Sequence, residues 1–225
     1  MDRWQKFGVY AAGLALQDAG IAGNDALLDK TDLCIAAGNG ERDMALDSRI
    51  LATADADADA APRLNTELMT GLRPTLYLVQ LSNLLAGNIS IIHKATGSSR
   101  TFKGEEMAGV SAIKNAVDRI KAGQGDLFLV GGALNAERQD FLLGCELTGS
   151  LHRGPHKSVW DRQGENGGFI PGSVGIFLIL ESSSHAKARG AMPYAQIAGI
   201  ASDRSPRAPG DIAATANTLL KELPL

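Results

Sequence analysis

Residues 97–132, GSSRTFKGEEMAGVSAIKNAVDRIKAGQGDLFLVGG, constrain the fold more than any other stretch of this chain. They read as a short extended segment, a tight turn, a helix that starts on Glu105 and Glu106, and a strand ending in Gly-Gly. Such a layout brings the side chain that opens the helix to a point where backbone N–H groups and the positive end of the helix dipole converge. That point is a common place for a nucleophile. Here carboxylates hold it, not Ser or Cys. The architecture is that of a covalent catalyst with an unsuitable residue at its key position.

The rest of the chain reads as alternating helix and strand. Residues 5–19 carry Phe7, Tyr10, Ala11, Leu14 and Ala15 at helical spacing and stop at Gly20. DLCIAAG at 32–38 is a short apolar run ending in Gly, as expected of a buried parallel strand. ATADADADAAP at 52–62 is acidic, Ala-rich and low in complexity, and reads as a mobile surface loop. Residues 75–86 read as a helix, and the following NISIIH has strand character or forms the end of a helix. The helix at 105–122 is apolar around much of its circumference, which predicts deep burial. DLFLVGG at 126–132 and SVGIFLILE at 173–181 lack polar alternation and read as strands buried on both faces. A short helix, a Gly turn and a long strand are expected over 185–203, then a last helix over 215–222. Alternation of this kind predicts α/β layers around a largely parallel sheet.

Composition excludes several classes of function. A chain of 225 residues, 44% hydrophobic and 21% charged, is an ordinary globular length and mix. A net charge of −3 gives no reason to expect nucleic acid or an anionic membrane as partner. Cys34 and Cys145 lie far apart without metal-type spacing, so a reduced, cytoplasmic setting is the expectation. No apolar run approaches the roughly 20 residues of a membrane span, and MDRWQKFGVY has no apolar core suited to a signal peptide.

Other candidate sites are poorer. His93, His152, His156 and His185 have no metal-ligand spacing, and Gly154-Pro155 breaks the interval between the middle two. Ser98-Ser99 and the serines at 182–184 lack a G-x-S-x-G context. GNG at 38–40 has neither the continuation nor the acidic ribose ligand of a dinucleotide turn. Neither a metal nor a cofactor is implied.

Taken in order, several segments resemble the N-terminal half of a beta-ketoacyl-acyl carrier protein synthase, a condensing enzyme of the thiolase-like superfamily. They are MDRWQKFGVYAAGLALQDAG, NLLAGNISIIHKATGSS, AGVSAIKNAVDRIKAGQGDLFLVGG and VWDRQGENGGFIPGSVGIFLILESSSHAKARGA. The resemblance implies a layered αβαβα fold, with residues 1–189 as the N-terminal half and 190–225 as the start of the C-terminal half. The family's first strand would precede Met1, and its remaining catalytic residues, two histidines and a lysine, would follow residue 225. A half fold leaves one sheet face uncovered, which predicts poor solubility or obligatory pairing with another chain.

The resemblance also exposes a departure. The family's nucleophilic Cys stands three residues before the Gly that matches Gly109, which puts Glu106 in its place and Glu105 just before it. A carboxylate there cannot form the acyl thioester. Relatives whose Cys is replaced by Gln act as chain-length factors beside an active synthase, or as decarboxylating loading domains. The resemblance therefore implies a non-condensing protein of fatty acid or polyketide assembly. Its partners would be acyl carrier protein and a Cys-containing synthase as heterodimer partner, or a second copy as homodimer. A carrier-protein-binding scaffold and a relic fragment are the alternatives. Trp160-Asp161 is expected to help fold a loop over the site, Trp4 to pack, and Arg100 and Phe102 to make subunit contacts.

Overall fold

The computed structural model describes all residues except 39, 41, 55–59, 105, 106, 163–166, 207 and 225. The chain opens with α1 (Arg3–Asp18), started by Gln5 Oε1, which accepts from the Asp2 backbone N–H at 3.1 Å. It continues through α2 (Asp25–Leu28), β1 (Asp32–Ala37), α3 (Met44–Ala54), α4 (Ala60–Gly71), α5 (Leu76–Val79) and α6 (Leu84–His93). Then come β2 (Ser99–Lys103), α7 (Ala108–Lys121), β3 (Leu127–Leu134), α8 (Gln139–Leu147), β4 (Val174–Glu181), α9 (Ser183–Ala188) and α10 (Asp211–Glu222).

Among the described residues the strands form one sheet in the order β2-β1-β3-β4. β2, β1 and β3 run parallel, and β4 is antiparallel to β3. Period-two alternation splits the sheet's side chains between two cores. Leu33, Ile35, Leu127, Leu129 and Phe177 meet Trp4, Val9, Ala12 and Leu16 of α1 and Leu85 and Ile89 of α6. Cys34, Phe128 and Val130 meet Ala112 and Ala116 of α7 on the opposite face. Helices thus cover both faces, as parallel strands require.

Several expectations need correction. The first helix is where the periodicity places it, but Phe7, Tyr10 and Leu14 face outward, Tyr10 being 71% exposed. Its inner face is the small-residue one: a Cβ on Gly8 would lie 2.7 Å from Leu85 Cδ1, and one on Gly13 2.6 Å from His93 Cε1. Close helix approach selected that face over the bulkier stripe. His93 completes the contact through Nε2, 2.9 Å from the Val9 carbonyl. The single helix expected over 75–86 is two, and NISIIH belongs to α6, where Ile89 packs against the core. Its strand character yields to tertiary packing. The loop expected over 52–62 is helical at both ends, since α3 reaches Ala54 and α4 starts at Ala60; its acidic centre lies outside the described residues.

β4 is also not buried on both faces. It is an edge strand that α7 barely reaches, so Val174, Ile176 and Leu178 form an exposed apolar strip. The long strand expected towards residue 203 is absent: residues 191–203 are described and have no strand neighbour. The last helix is present and starts earlier, at Asp211.

The end of β4 is braced by charge. Glu181, its side chain 9% exposed, accepts from Arg189 Nε at 2.6 Å and Nη2 at 2.9 Å, and lies against His185 Nδ1. Arg189 Nη1 also reaches the Ala19 carbonyl at 2.9 Å, tying α9 to the end of α1. Burial alone would raise the Glu181 carboxyl; the Arg189 and His185 hydrogen bonds outweigh it and hold the group below its ordinary value. A depressed carboxylate contributes stability above its unfolded pKa and loses it as pH falls through the folded one. Thermal stability should therefore drop on acidification below about pH 4.3, the ordinary Glu value. Glu181→Gln should be less stable at neutral pH and show a shallower acid limb in a melting-temperature series.

Candidate functional site

The site that sequence reasoning singles out is the opening of α7. β2 leads into it through Gly104, whose φ of 143° suits only glycine. Helical hydrogen bonding begins over Met107, whose carbonyl accepts from the Ser111 N–H at 2.8 Å. Glu105 and Glu106 lie outside the described residues. Below them α7 sits on Ala108, Ala112, Ala116 and Val117, all buried, while Gly109 and Asp118 are exposed. The deep burial expected of this helix is therefore one-sided. Its apolar residues pack on the sheet, and the charged residues Lys114, Asp118 and Lys121 line its outer face.

The far end of α7 is anchored by Arg119. Nη2 lies 2.8 Å from Asp32 Oδ2 and 3.4 Å from the Gln124 carbonyl, and Nη1 donates to Ser98 Oγ at 3.2 Å. Asp32 Oδ1 accepts from the Ser98 N–H at 2.7 Å and its hydroxyl at 2.9 Å. The guanidinium also stands 4.9 Å from the centre of the Phe128 ring. Sequence reasoning missed this cluster, because its members come from the starts of different strands.

Neither cysteine is placed to react. Cys34 is fully buried on β1, and its Sγ lies 3.6 Å from Asn115 Oδ1. Burial pushes its thiol up, against the pull of Arg119, so it stays protonated. Cys145 is buried within α8.

Arg100 and Phe102 both lie on β2, an edge strand bonded only to β1 among the described residues. Arg100 is exposed, whereas Phe102 is half-buried against the Cys34–Ala112 cluster. On the α6 side of the same strand, Ser99 and Thr101 face Asn83, Ala86, Gly87 and Ser90 across a cleft of about 380 Å³. Their alternation along β2 was the signal that could have marked it.

The remaining candidates are dispersed. Trp160 is 80% exposed, Ser158 Oγ donates to Asp161 Oδ2 at 2.6 Å, and residues 163–166 of the loop that Trp160-Asp161 is expected to help fold lie outside the described residues. Trp4 is buried in the core, as expected. His152 Nε2 meets the Pro155 carbonyl at 3.0 Å, and the four histidines share no site. Among the described residues no cluster of three His, Cys, Asp or Glu could hold a metal, and no helix is long and apolar enough to cross a membrane. A Cβ on Gly40 would lie 2.2 Å from the Val79 carbonyl oxygen, so Gly40 lies close against backbone, while Asn39 of that segment lies outside the described residues.

Residues 1–186 match a family model described as Beta-ketoacyl synthase, N-terminal domain. The 3-oxoacyl-[acyl-carrier-protein] synthase 2 of Vibrio cholerae is 27% identical over 204 residues, 88% of this chain and 46% of that protein. A beta-ketoacyl synthase from Burkholderia phymatum has a similar fold, with a TM-score of 0.67 at 24% identity over 85% of this chain and 45% of that one. The ishigamide ketosynthase/chain length factor matches with a TM-score of 0.60 at 26% identity, covering 85% and 44%. The chain spans less than half the length of each of these proteins.

Proposed function

This chain belongs to the beta-ketoacyl synthase family, and from that premise we propose that it is a non-condensing member which acts in fatty acid or polyketide assembly beside an active synthase. The count back from Gly109 puts Glu106 where the family keeps its nucleophile, and the thiolase-like α/β fold, with β2 leading into α7, supports that reading. One observation carries the reading: both cysteines are buried away from that opening, on β1 and in α8. With Glu106 at the nucleophile position, the chain has no group there to receive an acyl chain.

Its contribution is then indirect. It shapes the acyl channel of its partner across an interface, and the ketosynthase/chain length factor similarity supports that role. Residues 1–189 form the N-terminal half of the fold and 190–225 the opening of the second. The uncovered strip on β4 and the unpaired edge of β2 with its exposed Arg100 are the surfaces available for partner chains. Acyl carrier protein, named in the Vibrio relative, is the donor the complex would meet.

Glu106→Cys tests the assignment. In complex with a Cys-containing synthase, the variant should gain one acyl group at position 106 from acyl carrier protein, seen by intact-mass and peptide analysis. A variant that stays unmodified while its partner is acylated would remove Glu106 from the nucleophile position.

A further inference from the structure

We propose that Arg119 is a positioning residue that sets the axial register of α7, and through it the place of the residues that open the helix. The functional weight of this inference rests on the reading of that opening given above. The face of α7 that meets the sheet carries Ala108, Ala112 and Ala116, one methyl per turn, with buried Val117 beside them and Ile113 and Ile120 partly covered at its margins. The methyls along the centre of the contact let the helix lie close to the sheet but interlock little with the opposing side chains, so they add little resistance to sliding.

Arg119 adds a directional polar stop to this apolar contact. Its fork reaches Asp32 at the first residue of β1, Ser98 just before β2 and the Gln124 carbonyl ahead of β3, and its plane faces Phe128. Asp32, Ser98 and Phe128 belong to the strands or the turn into them, whereas the Gln124 carbonyl belongs to the turn that ends α7 and carries no register information. The side chains of Arg119 and Asp32 are only 12% and 13% exposed, so leaving the pair half-made strands a buried charge. The arrangement admits one register. A further polar tie to the sheet, Cys34 Sγ to Asn115 at 3.6 Å, is weak, and Lys114–Asp118 lies within the helix and carries no register information. A rigid helix passes a displacement of its last turn to its first, at 1.5 Å per residue of slip.

Spin labels can read the register in the chain alone, because Cys34 and Cys145 are buried and exposed substitutions label selectively. One pair, Lys30→Cys with Lys114→Cys, spans sheet base and helix; a second, Lys30→Cys with Lys103→Cys, spans the sheet only. By double electron–electron resonance, Arg119→Met should shift the first distance by about 1.5 Å or more, or double its width, and leave the second unchanged. Arg119→Lys keeps the ion pair but not the fork, and should recover about half of the change. Should Arg119→Met not fold, Asp32→Asn carries the same expectation. Unchanged distances in a folded variant, or equal changes in both pairs, would overturn the proposal. No synthase or acyl donor enters this measurement, so a failure of Glu106→Cys acylation leaves its outcome separate.

Discussion

Gly131→Ala is expected to destabilise the fold severely. Gly131 sits in the middle of β3, paired with Ile35 on one side and Phe177 on the other. A Cβ there would lie 2.2 Å from the Ile176 carbonyl oxygen and 2.7 Å from Phe177 Cα. Both are backbone atoms of β4, so no rotamer change can relieve the clash; the β3–β4 ladder must part. Ordinary overpacking costs about 1–3 kcal/mol, and this case should meet or exceed the upper end, against a total stability of about 5–15 kcal/mol for a typical domain. Soluble yield and denaturant midpoint are the measurements. Gly144→Ala is the control: it lies inside α8 with nothing within 4 Å, and should be neutral or stabilising by up to about 1 kcal/mol. A Gly131→Ala protein as stable as its parent would show that β3 and β4 are not packed as described.

Phe128→Ala should cost about 3–5 kcal/mol, the usual price of removing a large aromatic from a core. The ring is fully buried beneath α7 among Cys34, Ala112, Ala116 and Val130, and it lies under the Arg119 guanidinium. Its neighbours are mostly small, so they cannot close the gap, and the cation loses its aromatic face as well. Urea denaturation should show a lower midpoint with an unchanged slope. Phe128→Leu, which keeps much of the volume, should lose markedly less. Equal losses in the two variants would mean that the ring's shape and face do not matter.

β1, β3 and β4 were legible because each is a short apolar run bounded by glycine or an acid, whereas β2, SRTFK, was legible only as an extended segment. α7 was legible as a helix, but its degree of burial was not. Counting apolar positions around the helix overlooked that Ile113 and Ile120 are only partly covered at the margin of the sheet. The inner face of α1 was hidden for the opposite reason. Gly8, Ala12 and Gly13 carry little hydrophobic signal, yet they permit the close approach of α6, whereas Phe7 and Tyr10 carry a strong signal and face outward. NISIIH looked like a strand because β-branched residues dominate it, and only its packing against the core makes it helical. The Asp32–Ser98–Arg119 anchor could not be read at all, since no periodicity links residues that a fold brings together from separate elements.

For the site, the motif order pointed to the family, and the match over residues 1–186 bears that out. The two carboxylates at the opening of α7 were read from their count before Gly109, and they fall at residues outside those described. Edge pairing through Arg100 and Phe102 was read from the resemblance. The structure puts both on an edge strand but turns Phe102 inward under α7.

The central claim, a synthase-like chain that assists without being acylated, is tested most directly by intact-mass spectrometry. The purified chain would be incubated with acyl-carrier-protein donors, with and without a Cys-containing synthase. The expected result is co-purification with the synthase, an acyl group on the synthase and an unmodified mass for this chain. An acyl adduct on Cys34 or Cys145 would contradict the account, and so would a failure to associate with any synthase.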